Sequence, residues 1–570
     1  MLMFPVSASL LWITTVLASP TGIIEGRAAR TATAIIPAGT ILGNVKNGIE
    51  SFNGIPYAKP PLGSLRMKPP VRRSESLELF DGTGPAGACP QMLLSTDSKN
   101  FLLDTLGSLV DLPFVQNITG QTEDCLTITV ARPEGTAADA KLPVLYWIFG
   151  GAFELGWSSI YDGSSLINHA KSINQPFVFV AVQYRVAGYG FMPGKEIMDE
   201  GSGNAGLLDQ RMGLEWVADN IAAFGGDPDK VTIWGESAGA ISVLNQMVMY
   251  DGDNTYKGKP LFRGGIMNSG SVIPADPLDC PKGQAVFDKV AKTGGCGSAA
   301  DKLACLRALR SNDFLKAVTS VPGLLSYSSV ALSYLPRPDG KVLTQSPDAL
   351  ILSGKYAPVP VIIGDQEDEG TLFGLFQPNL TTTSQFVDYL ASYYFAGASK
   401  DQLTQLVKIY GDGIPAIIDG SPFDTGLINE ISPGFKRRSA ILGDLVFTLT
   451  RRVFLTGTSV LHPDIPSWSY LSSYDKGTPI LGTFHGSDLI QVFYGIKDNY
   501  AANIIRTYYT NFLYNLDPNV GYSGKYPNWP RWSDDNSLAH FFAGRSGLLK
   551  DDFRQAAFKW ITNHISVLRF

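Results

Sequence analysis

The chain has 570 residues, of which 44% are hydrophobic, 17% charged and 11% aromatic, with a formal net charge of −6. That balance describes a globular protein with ample material for a core, and the absence of any long basic cluster argues against a nucleic-acid partner. The pairs Arg72-Arg73 and Arg451-Arg452 read as ordinary surface charge.

In chain order, Val6 to Ala18 comes first, an almost unbroken apolar run followed by Ser19 and Pro20. This is the pattern of a secretory leader and its cleavage region, although no Lys or Arg precedes the run. The run is shorter than the roughly 20 residues a spanning helix needs, and no later stretch is long enough either. Residues 1–19 are therefore expected to be a signal peptide, and 20–570 a single domain of a secreted, extracellular protein without a transmembrane segment. Export gives meaning to two glycosylation sequons, at Asn117 and Asn379. It also suits five cysteines, Cys89, Cys125, Cys280, Cys296 and Cys305, of which at least one stays unpaired. With no Cys-x-x-Cys and only five histidines, no zinc cluster is expected.

Further along, Pro143 to Phe149, Phe177 to Gln183, Val231 to Trp234, Gly265 to Asn268 and Val359 to Gly364 are continuous apolar runs separated by longer mixed segments. Such runs predict a large α/β domain whose sheet is covered by helices on both faces. Gly201-Ser202-Gly203-Asn204-Ala205-Gly206 matches the dinucleotide-binding pattern. The segment before it, Gly194 to Glu200, is too polar for the strand that pattern requires, so it reads as a structural loop.

The most informative stretch is Gly235-Glu236-Ser237-Ala238-Gly239, between the strand-like Val231 to Trp234 and the helix-like Ala240 to Met249. A Gly-x-Ser-x-Gly in this context predicts a nucleophile elbow, whose glycines permit the sharp turn that lifts the serine above the sheet edge. A serine hydroxyl attacks carbonyls poorly without a base, and the base needs a third group to orient it. On this fold the partners follow in the order acid, then histidine. Val359 to Gly364 leads into Asp365-Gln366-Glu367-Asp368-Glu369, which offers several carboxylates at a strand end without saying which points inward. Of His462, His485, His540 and His564, His485 sits in a glycine-flanked loop after the strand-like Trp468 to Tyr474 and is favoured. Pro143 to Phe149 runs into Gly150-Gly151-Ala152-Phe153, where backbone N–H groups, joined by that of Ala238, would face a developing oxyanion.

These segments together resemble the type-B carboxylesterase/lipase family, in particular the Candida rugosa-like fungal lipases and sterol esterases. The matching blocks include Phe52 to Pro61, Glu123 to Leu126, Tyr146 to Phe153, Phe224 to Gly239, Tyr334 to Gly340, Val359 to Thr371 and Gly482 to Leu489. The resemblance implies an α/β-hydrolase fold, with a large mixed, mostly parallel sheet and a disulfide-bounded lid. It implies Ser237, Glu369 and His485 as the triad, oxyanion donors on Gly151, Ala152 and Ala238, and Leu372 and Phe373 near the acyl pocket. Many relatives have a third glycine where this chain has Ala152; a backbone donor survives that change. Disulfides Cys89–Cys125 and Cys296–Cys305 are implied too, with Cys280 outside the pattern. The lid would span about residues 90–124. In it, Leu102, Leu106, Leu109 and Val110 share a helical face, and their exposure would be favoured at a lipid surface and would promote self-association.

The expected protein is thus a hydrolase of long-chain acyl esters, triacylglycerols or steryl esters, acting at an oil–water or micellar interface with no metal or organic cofactor. Its rivals are a small-ester carboxylesterase or cholinesterase-like enzyme and, more remotely, a non-catalytic adhesion module on the same fold.

Overall fold

The computed structural model describes residues 30–92, 120–521 and 526–570. The expected leader, Asn117 and residues 93–119 of the expected lid lie outside the described residues. The N-terminal strands are β1 (Thr31–Ile36), β2 (Gly39–Lys46), β3 (Ile49–Pro56), β4 (Glu78–Asp81) and β5 (Thr127–Pro133). The central ones are β6 (Leu142–Ile148), β7 (Val178–Val182), β8 (Gly226–Glu236), β9 (Gly264–Asn268), β10 (Val361–Gln366) and β11 (Ser467–Ser472), and β12 (Ser537–Phe542) and β13 (Arg545–Lys550) close the series.

They form one sheet in the order β1-β2-β3-β5-β7-β6-β8-β9-β10-β11-β12-β13, with β4 beside β2. The stretch from β7 to β12 is parallel, and the flanking pairs β3–β5, β5–β7 and β12–β13 are antiparallel. Every residue of β7, β9, β10 and β11 is buried, as helices on both faces of a parallel sheet require. The chain passes from β6 to β7 on one side and then to β8 on the other. This reversal opens a crevice at the carboxyl ends of β6 and β8, the usual ligand site of such sheets. Trp147 and Trp234 are register partners there, with ring centroids 4.6 Å apart in an edge-on pair. The Gly201–Gly206 segment is the turn into the helix Ala205–Asn220 and is preceded by a short helix, Lys195–Glu200, not a strand.

The surface assignment of Arg451-Arg452 is wrong. Both side chains are buried in the helix Leu449–Leu461. Arg451 Nε donates to Asp365 Oδ2 (2.7 Å), while its Nη1 and Nη2 donate to Asp551 at 2.7 and 2.8 Å. Arg452 Nε and Trp532 Nε1 complete the cage around Asp551. Burial opposes charge on Asp551, yet the two guanidiniums hold its carboxyl down at about 2. A local charge pattern cannot reveal partners 86 and 100 residues away, which is why the pair looked exposed.

The disulfides Cys89–Cys125 and Cys296–Cys305 are both formed, and Cys280 is a buried free thiol whose sulfur accepts from Gly283 N at the start of the helix Pro281–Thr293. No helix among the described residues is long and apolar enough to cross a membrane. The Asp551→Ala variant strands the buried Arg452 guanidinium and leaves Arg451 with Asp365 alone, and it is expected to lose about 3–5 kcal/mol of stability. Denaturant unfolding measures this, and an unchanged midpoint would contradict the cage.

Candidate active site

β8 ends at Glu236, and the helix Ala238–Val248 begins one residue after Ser237. Ser237 itself has φ 57° and ψ −126°, a strained conformation for a residue with a side chain. Both glycines of the turn are required by contact. A Cβ on Gly235 would lie 2.2 Å from the carbonyl carbon of Gly239, and one on Gly239 would lie 2.1 Å from the Ile148 oxygen. The serine is held by its N–H, which donates to the Asn268 carbonyl at the end of β9 (2.9 Å).

Glu369 follows β10 by three residues, and His485 comes from the loop after β11. Ser237 Oγ lies 2.8 Å from His485 Nε2, and His485 Nδ1 lies 2.5 Å from Glu369 Oε2. Glu369 Oε1 accepts from Gln366 N (2.7 Å), so the carboxylate is fixed on both oxygens. The geometry also separates the four clustered carboxylates. Asp365 is paired with Arg451, and Glu367 with Lys476, while Asp368 accepts from Ser421 Oγ, Phe423 N and Thr483 N. Only Glu369 of the four reaches the imidazole. Three other histidines are engaged elsewhere: His540 with Ser473 Oγ, His564 with the Trp560 carbonyl, and His462 edge-on to Tyr356.

At the end of β6, Gly151 (φ 110°) and Ala152 (φ 58°) turn the chain across the serine. Among the described residues, the N–H groups of Gly151, Ala152 and Ala238 donate to no main-chain acceptor. That leaves three donors beside the hydroxyl, an array suited to a developing oxyanion. The loop beyond is tied to the residues that follow Cys89. Gln91 and Gly156 exchange two hydrogen bonds of 2.9 Å, and Met92 N donates to the Glu154 carbonyl.

An apolar cavity opens from the serine, lined by Ala238, Ile241, Leu372, Phe373 and Phe447 among others. Phe373 lies 5.1 Å from the His485 ring, and Phe447 lies 4.5 Å from it.

Two groups escaped the sequence reading. Glu236, inside the elbow motif, points one carboxylate oxygen to 3.6 Å from His485 Nε2, and burial pushes it up to about 8. Asn268 was legible only as the last residue of a strand-like run. Its Oδ1 accepts from Trp234 Nε1 and Tyr509 OH, and its Nδ2 donates to Asp488 Oδ2 (2.7 Å). It therefore links the nucleophile strand to the histidine loop. Burial disfavours charge on the His485 ring, but the Glu369 carboxylate, with Glu236 and Asp488 behind it, outweighs that and pushes the imidazole up to about 9.

A strand–turn–helix serine at a sheet crevice, bonded to histidine and through it to a carboxylate, defines an α/β-hydrolase built for acyl transfer. The carboxylesterase family model matches residues 30–557, and the chain belongs to that family as a carboxylic ester hydrolase. It is 59% identical to a secreted triacylglycerol lipase, LIP1, of Gibberella zeae over 547 residues, covering 96% of this chain and 92% of that one. With Lipase 2 of Diutina rugosa the identity is 47%, covering 89% and 92%. Among solved structures it resembles Aspergillus niger EstA, with a TM-score of 0.79, 25% identity and coverage of 94% and 99%.

Asp488, pushed up to about 6 by burial, is charged above that pH and favours the imidazolium. Asp488→Asn keeps an acceptor for Asn268 but removes the charge. The His485 titration midpoint, followed by NMR, is then expected to fall by on the order of one unit. An unmoved midpoint would show that this carboxylate does not act on the ring.

Proposed function

We propose that Ser237 attacks the ester carbonyl while His485, in its neutral form, takes its proton at Nε2 and Glu369 holds the resulting imidazolium. The N–H groups of Gly151, Ala152 and Ala238 receive the oxyanion. His485 then returns the proton to the departing alcohol, and water releases the acid from the acyl-enzyme by the same steps. The observation that carries this reading is the continuous chain of short contacts from Ser237 Oγ through the imidazole to Glu369.

The substrates we infer are long-chain acyl esters, triacylglycerols or steryl esters, met at a lipid–water interface by an exported protein. Support comes from the apolar lining of the cavity and from the relatives named as secreted lipases. In this reading Leu372 and Phe373, which both line the cavity, shape the acyl site. The segment between Cys89 and Cys125 serves as its lid, and apolar residues there favour the interface and self-association. No organic cofactor or metal enters this chemistry. Asn379 is exposed, as a glycan acceptor must be, and its amide donates to Tyr327 OH.

Ser237→Ala is expected to lower turnover by roughly 10⁴-fold or more with folding retained. Near-normal hydrolysis of emulsified triolein by that variant would remove the assignment. Competition between triolein and cholesteryl oleate decides which lipid class is preferred. Phe373→Ala is expected to change acyl-length preference across a series of p-nitrophenyl esters more than it changes melting temperature, and an identical profile would count against its place in the acyl site.

A further inference from the structure

The loop that ends at Ile431 keeps three large apolar side chains in water. Leu427 is 62% exposed, Ile428 72% and Ile431 48%. Single exposed aliphatic residues are ordinary, but three so close together on one loop are not. Two turns keep the loop compact, through Ile428 N to the Thr425 carbonyl (3.1 Å) and Ile431 N to the Asn429 carbonyl (3.0 Å). It is also pinned to the wall of the catalytic cavity. Asn429 Oδ1 accepts from Ile480 N (3.0 Å), and Ile480 packs on the cluster of Leu375 and Phe376, both of which line the cavity. Arg438 supplies a second pin. Its guanidinium donates to Ser432 Oγ and the Pro433 carbonyl, at 3.1 Å each, and lies 3.5 Å from the carbonyl of Gly374, in the short helix that carries Leu372 and Phe373. The apolar patch is thus joined by fixed contacts to the cavity wall, so whatever seats the patch also sets the position of the cavity.

Charge narrows what that partner is. Asp419, Asp424 and Glu430 are the charged residues between positions 419 and 431, and none is basic. Lys436 is buried, with Nζ donating to Thr425 Oγ1 and the Gly426 carbonyl, and Lys476 is paired with Asp424. An anionic headgroup therefore meets no basic side chain on this loop. A surface without net charge asks only that the apolar side chains leave water. We propose that Leu427, Ile428 and Ile431 are a docking surface for lipid aggregates without net charge. They seat the protein at the interface by contacts separate from the segment between Cys89 and Cys125. The inference rests on the reading of the protein as a hydrolase of lipid esters.

The test uses the purified full chain, sedimented with vesicles of dioleoylphosphatidylcholine, pure or mixed with dioleoylphosphatidylserine. Hydrolysis of p-nitrophenyl butyrate below its solubility limit is measured alongside. The wild type is expected to partition more strongly onto the pure vesicles than onto the mixed ones. The triple variant Leu427→Glu, Ile428→Glu, Ile431→Glu is expected to weaken that partition roughly tenfold or more, with soluble-ester hydrolysis unchanged. Ile35→Glu, at a position just as exposed (73%) on the edge strand β1, is expected to change neither. Should the triple variant lose soluble-ester hydrolysis through misfolding, Ile428→Ser alone is read in its place and weakens partition on the order of threefold. Partition that survives these substitutions, an equal loss in Ile35→Glu, or tighter binding to the mixed vesicles overturns the proposal. So does a wild-type dimer that the glutamates dissociate while partition stays unmoved, since the patch then belongs to a second copy. A wild type inert toward the soluble ester fails the nucleophile assignment instead, while partition still judges the patch.

Discussion

The passage of the 235–239 turn directly across the carboxyl end of β6 is the contact on which the site depends. Gly239 lies so close to the Ile148 carbonyl, and Gly150 so close to Ser237 Cβ, that neither position has room for a side chain. Two segments some ninety residues apart are thereby locked at van der Waals distance. The hydroxyl and the Gly151–Ala152 amides come from different strands, yet they cannot move apart without breaking the sheet. Preorganised donors need no rearrangement when charge develops, which is where most of their value lies.

Around that contact the protein has concentrated carboxyl groups. Glu369, Glu236 and Asp488 surround one imidazole, and all three are buried. Burial works against ionising carboxylates, and it pushes Glu236 and Asp488 upward. The same field favours a cation on the ring between them, the state His485 would pass through on accepting a serine proton. Asn268 spaces this arrangement mechanically, since its side chain touches residues from β8, the helix Tyr500–Asn515 and the histidine loop.

The central sheet was legible because parallel strands buried on both faces are written as unbroken apolar runs. Val231 to Trp234 and Gly265 to Asn268 each fall within an observed strand, with ends extended by one or more residues. The serine was legible because two glycines are compulsory in its turn. The choice of Glu369 among four neighbouring carboxylates was not, since it depends on which of them finds a cation or a backbone donor far along the chain. Resemblance supplied that choice, and the contacts give its physical basis. Arg451 and Arg452 failed for the same reason in reverse, because a buried guanidinium is defined by distant carboxylates. The linking role of Asn268 had no local signal, since its partners Tyr509 and Asp488 lie far along the chain.

The helix that begins beside the serine presents its first amide next to Ser237 and its flank to the pocket. Ala238, Ile241 and Asn245 then stand along the cavity like graduations on a ruler whose zero is Ser237, each a turn or so of roughly 5.4 Å beyond the last. The width of the pocket can therefore be altered one graduation at a time, without touching the turn at its origin.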